Sequence, residues 1–392
     1  MIVIFAIPLL VAAIYLAYPV WLRCAARQSF GNEPEKVRIN EITAILLCRN
    51  GKPYIEDKIW FLLNELKAFE NNELIIIDDG STDGSASVIE GFRDRPNVRI
   101  YINATCRGIP YGMNLGVEKA RYGYIIFSDQ RQRLSQDIVR KISEPLRHSA
   151  VGAASACISC CDRKKRTSLM RKYENVIKLN ESRTGDLMGV YGPFYAVKKE
   201  AFFRLPENIV LDDLYLSLRI LSNKKVVLLK DCEIVDDDLN SLYDYRRARR
   251  YLTGFLQIIT DKDLIRALSP RQRIMLLWHK YLRLIIPPYL LALYLYSGIR
   301  LSADPFAGAL FLLMTVAGIQ SFTKGRARVR SGLLTAFRIN ILYLAAMVGL
   351  LWEKASGGRV SFWRTRRKEP GREPDTRDIH CYDNPKTECN DI

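Results

Sequence analysis

The sequence predicts an α/β protein with a mostly parallel sheet, helices on both sheet faces, and membrane helices at both ends. From residue 41 onward, short apolar strands alternate with amphipathic helices, a pattern typical of parallel sheets. Ile2–Leu22 contains no charged side chain, and further apolar segments lie between residues 284 and 353. Because about 20 apolar residues span a bilayer, both ends are candidates for membrane insertion.

Continuous short apolar runs predict the strands, and apolar residues three and four apart predict the helices. The predicted strands are Glu41–Cys48, Leu74–Ile77, Val98–Ile102, Tyr124–Phe127, Val151–Ile158, Tyr191–Val197 and Lys225–Leu229. The predicted helices are Tyr54–Glu70, Ser85–Phe92, Asn114–Ala120, Gln136–Leu146, Lys164–Glu181, Leu211–Leu221 and Arg246–Ile259. In a parallel sheet the carboxyl ends of the strands share one edge, where ligands bind.

The chain divides into regions of different composition. These are a transmembrane anchor at 1–22, a linker at 23–40, an α/β domain at 41–262, an interfacial helix region at 263–283, about three membrane segments at 284–353 and a basic, disordered tail at 354–392. A cleaved signal peptide is the alternative for the first region. Arg23 and Arg27 follow the apolar run, which favours an uncleaved anchor with the next residues in the cytosol.

The net charge of +17 suggests nucleic acid, an anionic membrane surface or phosphorylated ligands as partners. The basic clusters at 246–250, 324–330 and 354–368 lie beside apolar helices, so we expect a lipid bilayer and no nucleic acid. Three crossings after residue 284 would place the basic tail outside the cytosol, whereas basic residues favour the cytoplasmic side of a membrane. The segment containing Pro287 and Pro288 is therefore the candidate for an interfacial or re-entrant segment. The nine cysteines lack zinc-type spacing and are predicted to be reduced thiols.

Acidic residues recur where apolar runs end. Asp78 and Asp79 follow one predicted strand, Asp129 follows another, and Asp212 and Asp213 open a helix. A surface turn is the alternative for any one of these sites, but their recurrence favours a common binding cleft at one sheet edge. Carboxylates beside a phosphate ligand imply a hard cation, Mg²⁺ or Mn²⁺.

Two further features indicate the chemistry of this cleft. Asp213 has a carboxylate neighbour, which makes it a candidate general base. The cluster Arg246–Arg250 supplies positive charge for a leaving diphosphate, and membrane-surface attraction is the alternative role for these arginines.

These motifs together resemble membrane-bound family 2 glycosyltransferases, in the branch that includes hyaluronan, chitin and cellulose synthases. The resemblance covers Glu41–Arg283 and is carried by Asp-Asp-Gly-Ser after a strand, a later strand ending in Asp, an acidic pair before a helix, and Arg-x-x-Arg-Tyr. It implies a GT-A nucleotide-sugar-binding fold, an inverting transfer and a nucleotide-diphosphate sugar as donor, with a UDP-sugar expected.

The resemblance also implies roles for single residues. Donor-binding roles fall on Asp78, Asp79, Asp129, Arg131, Arg247, Arg250 and Tyr251, with Asp129 also the metal ligand. Asp213 is expected to deprotonate the acceptor hydroxyl. Gly192, Pro193 and Asp212 are expected on the acceptor side.

Several positions depart from the family pattern. Arg131 stands where the family has a second Asp, so metal coordination has fewer protein oxygens and Arg131 could meet phosphate directly. Gly51 stands where a Glu is frequent, and Asp212 replaces a Glu. Arg247 and Tyr251 replace the Gln and Trp that mark processive enzymes, which leaves processivity open.

The expected function is therefore transfer of a sugar to a glycan or lipid-linked acceptor in polysaccharide synthesis, by an integral membrane protein with a cytoplasmic catalytic domain. One alternative is a single-addition enzyme that acts on a lipid carrier. Another is an inactive membrane scaffold that keeps the fold for partner binding.

Overall fold

A computed structural model describes residues 13–25, 39–159, 169–235, 245–322 and 332–356. The first part of the predicted anchor, most of the linker, the basic cluster at 324–330 and the tail from 357 onward lie outside the described residues. The adjacent cysteines at 160 and 161 also lie outside them.

The described strands form one sheet. They are β1 (Glu41–Cys48), β2 (Asn71–Asp78), β3 (Val98–Ile102), β4 (Tyr124–Asp129), β5 (Arg133–Leu134), β6 (Val151–Ser159), β7 (Phe194–Lys198) and β8 (Lys225–Val235). Their spatial order is β3-β2-β1-β4-β7-β6-β8-β5. The predicted strands are all present, and β5 is an additional short strand.

The sheet is mixed, which corrects the expectation of a mostly parallel one. β3, β2, β1 and β4 are parallel neighbours, whereas β7 runs antiparallel to both β4 and β6. The reason lies in the loop before β7, since Pro193 is already hydrogen-bonded to the carboxyl end of β4. A strand that starts at this edge must run back across the sheet.

The helices connect and cover these strands. They are α1 (Tyr18–Ala25), α2 (Lys52–Leu66), α3 (Ser85–Glu90), α4 (Ile109–Lys119), α5 (Ile138–Ser143), α6 (Leu169–Arg183), α7 (Asp212–Leu221), α8 (Tyr245–Thr260), α9 (Lys262–Ala267), α10 (Pro270–Leu276), α11 (Ile286–Ile299), α12 (Pro305–Phe322) and α13 (Gly332–Ala355). Most predicted helices agree with these within a few residues.

The core of the α/β domain is the apolar strands with the inner faces of the helices. Ile45, Ile75 and Ile126 lie fully buried on adjacent strands, and α2 adds Ile55 and Ile59. Burying one such side chain contributes roughly 1.5–3 kcal/mol, so continuous apolar runs fix which segments become central strands.

A buried ionic cluster joins the N-terminal helix, α6 and the segment before α11. Glu181 of α6 accepts hydrogen bonds from Tyr18 at 2.6 Å and pairs with His279 at 2.7 Å. Glu174, about two turns earlier on the helix, pairs with the other nitrogen of His279 at 2.8 Å and with Arg283 at 3.0 Å. The cluster links the apolar segments to the α/β domain.

Two of the described helical segments are long and apolar enough to cross a membrane, namely Pro270–Ile299 and Pro305–Phe322. The predicted third segment forms α13, which packs against α8 through Ala346 and Leu350. Pro287 does not break a helix, because it lies in the first turn of α11, where its missing N–H has no cost.

The predicted N-terminal crossing is only partly described. Residues 13–25 are helical, with Tyr18 and Leu22 buried and Leu16 and Val20 exposed. This part of the chain therefore packs one face on the protein and leaves an apolar face uncovered.

Candidate active site

Two predicted site residues meet at the carboxyl edge of the parallel strands. Asp78 ends β2 and Asp129 ends β4, and both strands pair with β1 between them. The register places Cys48 beside Asp78 and Leu47 beside Asp129. Strand pairing alone therefore brings these carboxylates to one edge.

Asp78 and Asp79 hold the loops on this side of the cleft. Asp78 is 1% exposed, and its carboxylate accepts hydrogen bonds from the amide and the hydroxyl of Ser81. The Asp79 carboxylate accepts from the amides of Arg107 at 2.7 Å and Gly108 at 2.8 Å. Both carboxylates thus shape loops, a role that the sequence motif did not predict.

Asn50 belongs to the same edge, although no sequence motif singles it out. Its φ of 48° is left-handed, and its side-chain oxygen accepts from the Thr82 amide at 2.8 Å. Its own amide donates to the Ser81 hydroxyl at 2.9 Å. The only sequence signal is the Asn-Gly pair after a strand, since Asn tolerates this backbone conformation.

Gly51 lies directly against the side chain of Gln130. The Gln130 side chain donates to the Arg49 carbonyl at 2.8 Å and accepts from the Arg49 amide at 3.2 Å. A Cβ at position 51 would lie 1.9 Å from Oε1 of Gln130. Glycine at 51 therefore leaves room for the amide that joins the end of β1 to the loop after β4.

Asp129 lies among positive charges. Burial raises the pKa of its carboxyl to about 6, while the charges of Lys58, Arg131 and Arg250 act in the opposite direction. Asp129 is partly exposed at this edge of the sheet. It is therefore open to a ligand.

Lys58 reaches the Asp129 loop from α2 and is a site residue that the sequence does not reveal. Its side chain is buried, and its amine donates to the carbonyl of Gln132. Burial lowers the pKa of Lys58 to about 8, although the negative charge of Asp129 acts to raise it. Lys58 fixes the loop and places a cation beside the carboxylate.

The acidic pair opens α7 near the same carboxylate. Burial and then the charge of Asp213 raise the pKa of Asp212 to about 7, while Arg250 acts in the opposite direction. Arg250 Nη2 lies 3.9 Å from Asp212 Oδ1. Asp129 also raises the pKa of Asp212, so the three carboxylates lie within electrostatic reach of one another.

The loop before β7 borders both acidic sites. A Cβ at Gly192 would lie 3.3 Å from Asp213 Oδ2, and the Pro193 carbonyl accepts from the Asp129 amide at 2.9 Å. The other oxygen of Asp213, Oδ1, accepts from the Leu214 amide at 2.7 Å. One oxygen is bonded to an amide in the first turn of α7, and the other lies on the side of the loop.

The predicted basic motif lies on α8. Arg247 donates to the Tyr251 hydroxyl at 3.3 Å, and its guanidinium lies 5.5 Å from the centre of that ring. Arg250 donates to the Val210 carbonyl at 3.4 Å and faces Asp212. Arg250 thus reaches the carboxylates, whereas Arg247 and Tyr251 pair with each other.

The described residues contain no group of three or more His, Cys, Asp or Glu side chains that could hold a metal ion by themselves. Asp129 still fits a divalent cation, because Mg²⁺ in phosphate-binding enzymes takes one or two carboxylates and fills its other positions with substrate phosphates and water.

Residues 43–204 match the family model described as Glycosyl transferase family 2. The chain contains a glycosyltransferase family 2 domain. The match includes Asp78, Asp79, Asp129, Gly192 and Pro193 and ends before Asp212. Asp212, Asp213 and α8 lie outside this match, so only their position in the structure connects them with the site.

Two curated relatives cover part of the chain. An uncharacterized glycosyltransferase of Haemophilus influenzae is 35% identical over 101 residues, or 26% of this chain and 40% of that protein. The poly-beta-1,6-N-acetyl-D-glucosamine synthase of Staphylococcus aureus is 27% identical over 187 residues, or 45% of this chain and 44% of that protein. The chain thus spans less than half the length of these relatives.

A solved structure is similar over most of the chain. The mannosyltransferase of Pyrobaculum calidifontis, in complex with GDP-mannose and Mn²⁺, superposes with a TM-score of 0.68 at 20% identity. The similarity covers 89% of this chain and 99% of that one. It shows that the family 2 domain has a GT-A-like α/β fold.

Proposed function

We propose that this chain is a membrane-bound inverting glycosyltransferase. It transfers a sugar from a nucleotide-diphosphate sugar, with a UDP-sugar as first candidate, to a glycan or lipid-linked acceptor in polysaccharide synthesis. The observation that carries the proposal is that Asp129, Asp213 and Arg250 lie within electrostatic reach of one another at one edge of a family 2 domain.

Asp213 is the proposed general base. Its carboxylate takes the proton of the acceptor hydroxyl while the hydroxyl oxygen attacks the anomeric carbon. The new bond forms opposite the bond to the diphosphate, which breaks as the nucleoside diphosphate leaves, so the anomeric configuration inverts. Asp213 Oδ2, on the side of Gly192, is the oxygen in position for this step.

Positive side chains stabilise the leaving diphosphate. Arg250 and Arg131 act on the Asp129 side, and Arg247 extends the positive surface along α8. Tyr251 supports Arg247 through its hydroxyl. Preorganised cations of this kind are effective because they need no rearrangement as charge develops on the leaving group.

The nucleoside end of the donor lies by Asp78 and Asp79. The loops that these carboxylates fix would form the walls around the base and ribose. Asp129 would hold Mg²⁺ or Mn²⁺ together with the donor diphosphate. A bound cation would neutralise phosphate charge as the diphosphate departs.

The acceptor side is formed by Gly192, Pro193 and Asp212. The product could be a polymer or a lipid carrier with one added sugar. The sequence leaves this open because Arg247 and Tyr251 replace the Gln and Trp that mark processive enzymes. Gel filtration of radiolabelled product separates these two outcomes.

The protein is proposed to be integral to the cell membrane, with its catalytic domain in the cytoplasm. The apolar segments Pro270–Ile299 and Pro305–Phe322 support insertion, and α13 with the preceding basic residues supports a cytoplasmic-surface contact. Protease access to the C-terminal tail in oriented vesicles would determine the number of crossings.

The test of function uses membranes that contain the full chain. They are incubated with UDP-N-acetylglucosamine, UDP-glucose or GDP-mannose, each with Mg²⁺, Mn²⁺ or EDTA, and nucleoside diphosphate release is measured. We expect release with one donor and its loss in EDTA. Absence of both release and nucleotide binding with every donor would contradict the proposal and favour the inactive scaffold.

A further inference from the structure

We propose that Lys178 of α6 is a positioning residue that holds the acceptor-side loop, Gly189–Pro193, against Asp213. The inference rests on the proposed function, because the loop has an acceptor to position only if Asp213 deprotonates one. Lys178 lies on α6, outside the acidic and basic motifs of the sequence.

Side chains from two other elements hold the amides of the acceptor-side loop. The Val190 amide donates to the Ser217 hydroxyl of α7 at 3.0 Å. The Tyr191 amide donates to the Ser155 hydroxyl of β6 at 2.8 Å. The loop is thus held by specific side chains in place of a strand ladder, and each of them can shift it.

Lys178 holds the carbonyls of the same loop. Its side chain is 5% exposed, and its amine donates to the carbonyls of Gly189 and, at 3.4 Å, Val190. The amine also lies 3.9 Å from the centre of the Tyr191 ring. One side chain therefore contacts three successive loop residues, and its removal would leave two buried carbonyls without their donor.

The loop connects this amine to the proposed base. Ser217, which receives the Val190 amide, donates to the Asp213 carbonyl at 2.6 Å. Gly192 lies against the Asp213 side chain, and a Cβ added at Gly192 would be 3.3 Å from Oδ2. A shift of Val190 or Gly192 would thus change the space beside the oxygen that receives the acceptor proton.

Charged groups on all the packed elements face Lys178. Burial lowers the pKa of Lys178 to about 8, and Lys280 acts in the same direction. Glu174, Asp213 and Glu181 act in the opposite direction. The carboxylates explain how a buried amine remains a cation, and they place it in the electrostatic field of Asp213.

The test compares Lys178→Met with Lys172→Met in membranes that contain the full chain. Lys172 lies on the same helix but is exposed, so its substitution controls for the loss of a lysine from α6. The probe is radiolabelled UDP-N-acetylglucosamine, or the most active donor of the panel, with the acceptors of the membrane itself. Label in product measures transfer, and free labelled sugar measures hydrolysis.

We expect Lys178→Met to lower the ratio of transfer to hydrolysis roughly ten- to a hundredfold, because small displacements of a substrate-positioning loop have effects of this size. The KM for the donor should stay within about twofold of wild type, since donor contacts are unchanged. Lys172→Met should match wild type in both measurements. A merely structural role would lower transfer and hydrolysis together.

An unchanged ratio in Lys178→Met would overturn the inference, as would an equal loss of transfer and hydrolysis with a raised donor KM. If this variant does not accumulate, Lys178→Gln, which keeps N–H donors, should show the same pattern in weaker form, and an unchanged ratio there has the same meaning. Wild type that neither hydrolyses nor transfers any donor would instead remove the proposed function itself.

Discussion

The backbone amide of Asp129 donates a hydrogen bond to the carbonyl of Pro193 at 2.9 Å. The bond continues the antiparallel pairing of β4 with β7 beyond Ser128 and Phe194. It joins the end of the strand that carries the proposed metal ligand to the start of the strand that follows the acceptor-side loop. The proposed donor and acceptor sides of the cleft therefore share one backbone pairing.

Asp213→Asn is expected to abolish transfer while donor binding stays nearly intact. The amide keeps the shape of the side chain and cannot take the acceptor proton, and general-base catalysis contributes about 10²–10⁴-fold. Transfer of radiolabelled sugar and equilibrium binding of the nucleoside diphosphate measure the two effects. Asp231→Asn, at an exposed position, is the control. Full transfer in Asp213→Asn membranes would disprove the assignment.

The stability of the domain is expected to depend on pH through Asp212. Burial raises the pKa of this carboxyl in the folded protein to about 7, above its unfolded value of about 3.9. The folded state therefore binds the proton more tightly, and the stabilisation is complete below about pH 4 and is lost as the pH rises to 7. Melting temperatures measured across this range should fall less in Asp212→Asn than in wild type.

The same ionisation affects activity in the opposite direction. A protonated Asp212 no longer supports the negative cluster beside Asp213, so kcat/KM should fall as the pH drops below about 7. In Asp212→Asn this acid limb should move to lower pH, because position 212 no longer titrates. An acid limb at the same pH in both proteins would show that another group is responsible.

Gly51→Ala should weaken donor use because its Cβ displaces the Gln130 side chain, which lies 1.9 Å from that position. A double-mutant cycle tests this directly. Gln130→Ala alone loses the two bonds to Arg49, and Gly51→Ala should cost far less in that background. The KM for the donor is the measurement, and additive effects of the two substitutions would contradict the contact.

The positions of the strands could be predicted from the sequence, but the direction of one could not. β1 and β3 have the predicted bounds, because each is an apolar run bordered by polar residues. The antiparallel direction of β7 depends on where the preceding loop attaches, and the bond between Asp129 and Pro193 is a tertiary contact. No local pattern encodes it.

The position of Asp78 and Asp129 at one edge of the sheet could be predicted, and the packing of the buried lysines could not. Asp78 and Asp129 follow apolar runs, which is a visible signal. Lys58 and Lys178 lie on amphipathic helices, where a lysine normally faces solvent, and only the packed structure shows both amines bonded to loop carbonyls. Partners of this kind appear only once tertiary packing is known.

Glu181→Ala is expected to lower the stability of the whole protein by about 3–5 kcal/mol, the usual effect of removing one member of a buried ionic pair. Glu181 is fully buried, and the substitution would leave Tyr18 and His279 without their shared acceptor. Because these partners lie on the N-terminal helix and on the segment before α11, the contact between the apolar segments and the α/β domain should loosen.

Thermal unfolding in detergent measures this loss, and limited proteolysis shows whether the α/β domain separates from the apolar helices. Glu90→Ala is the matched control, because Glu90 forms an exposed pair with Arg93 and its loss should leave the melting temperature unchanged. If Glu181→Ala melted like wild type, the buried cluster would have no part in joining the two regions. If it melted early but stayed resistant to proteolysis, the cluster would stabilise α6 alone and not the junction.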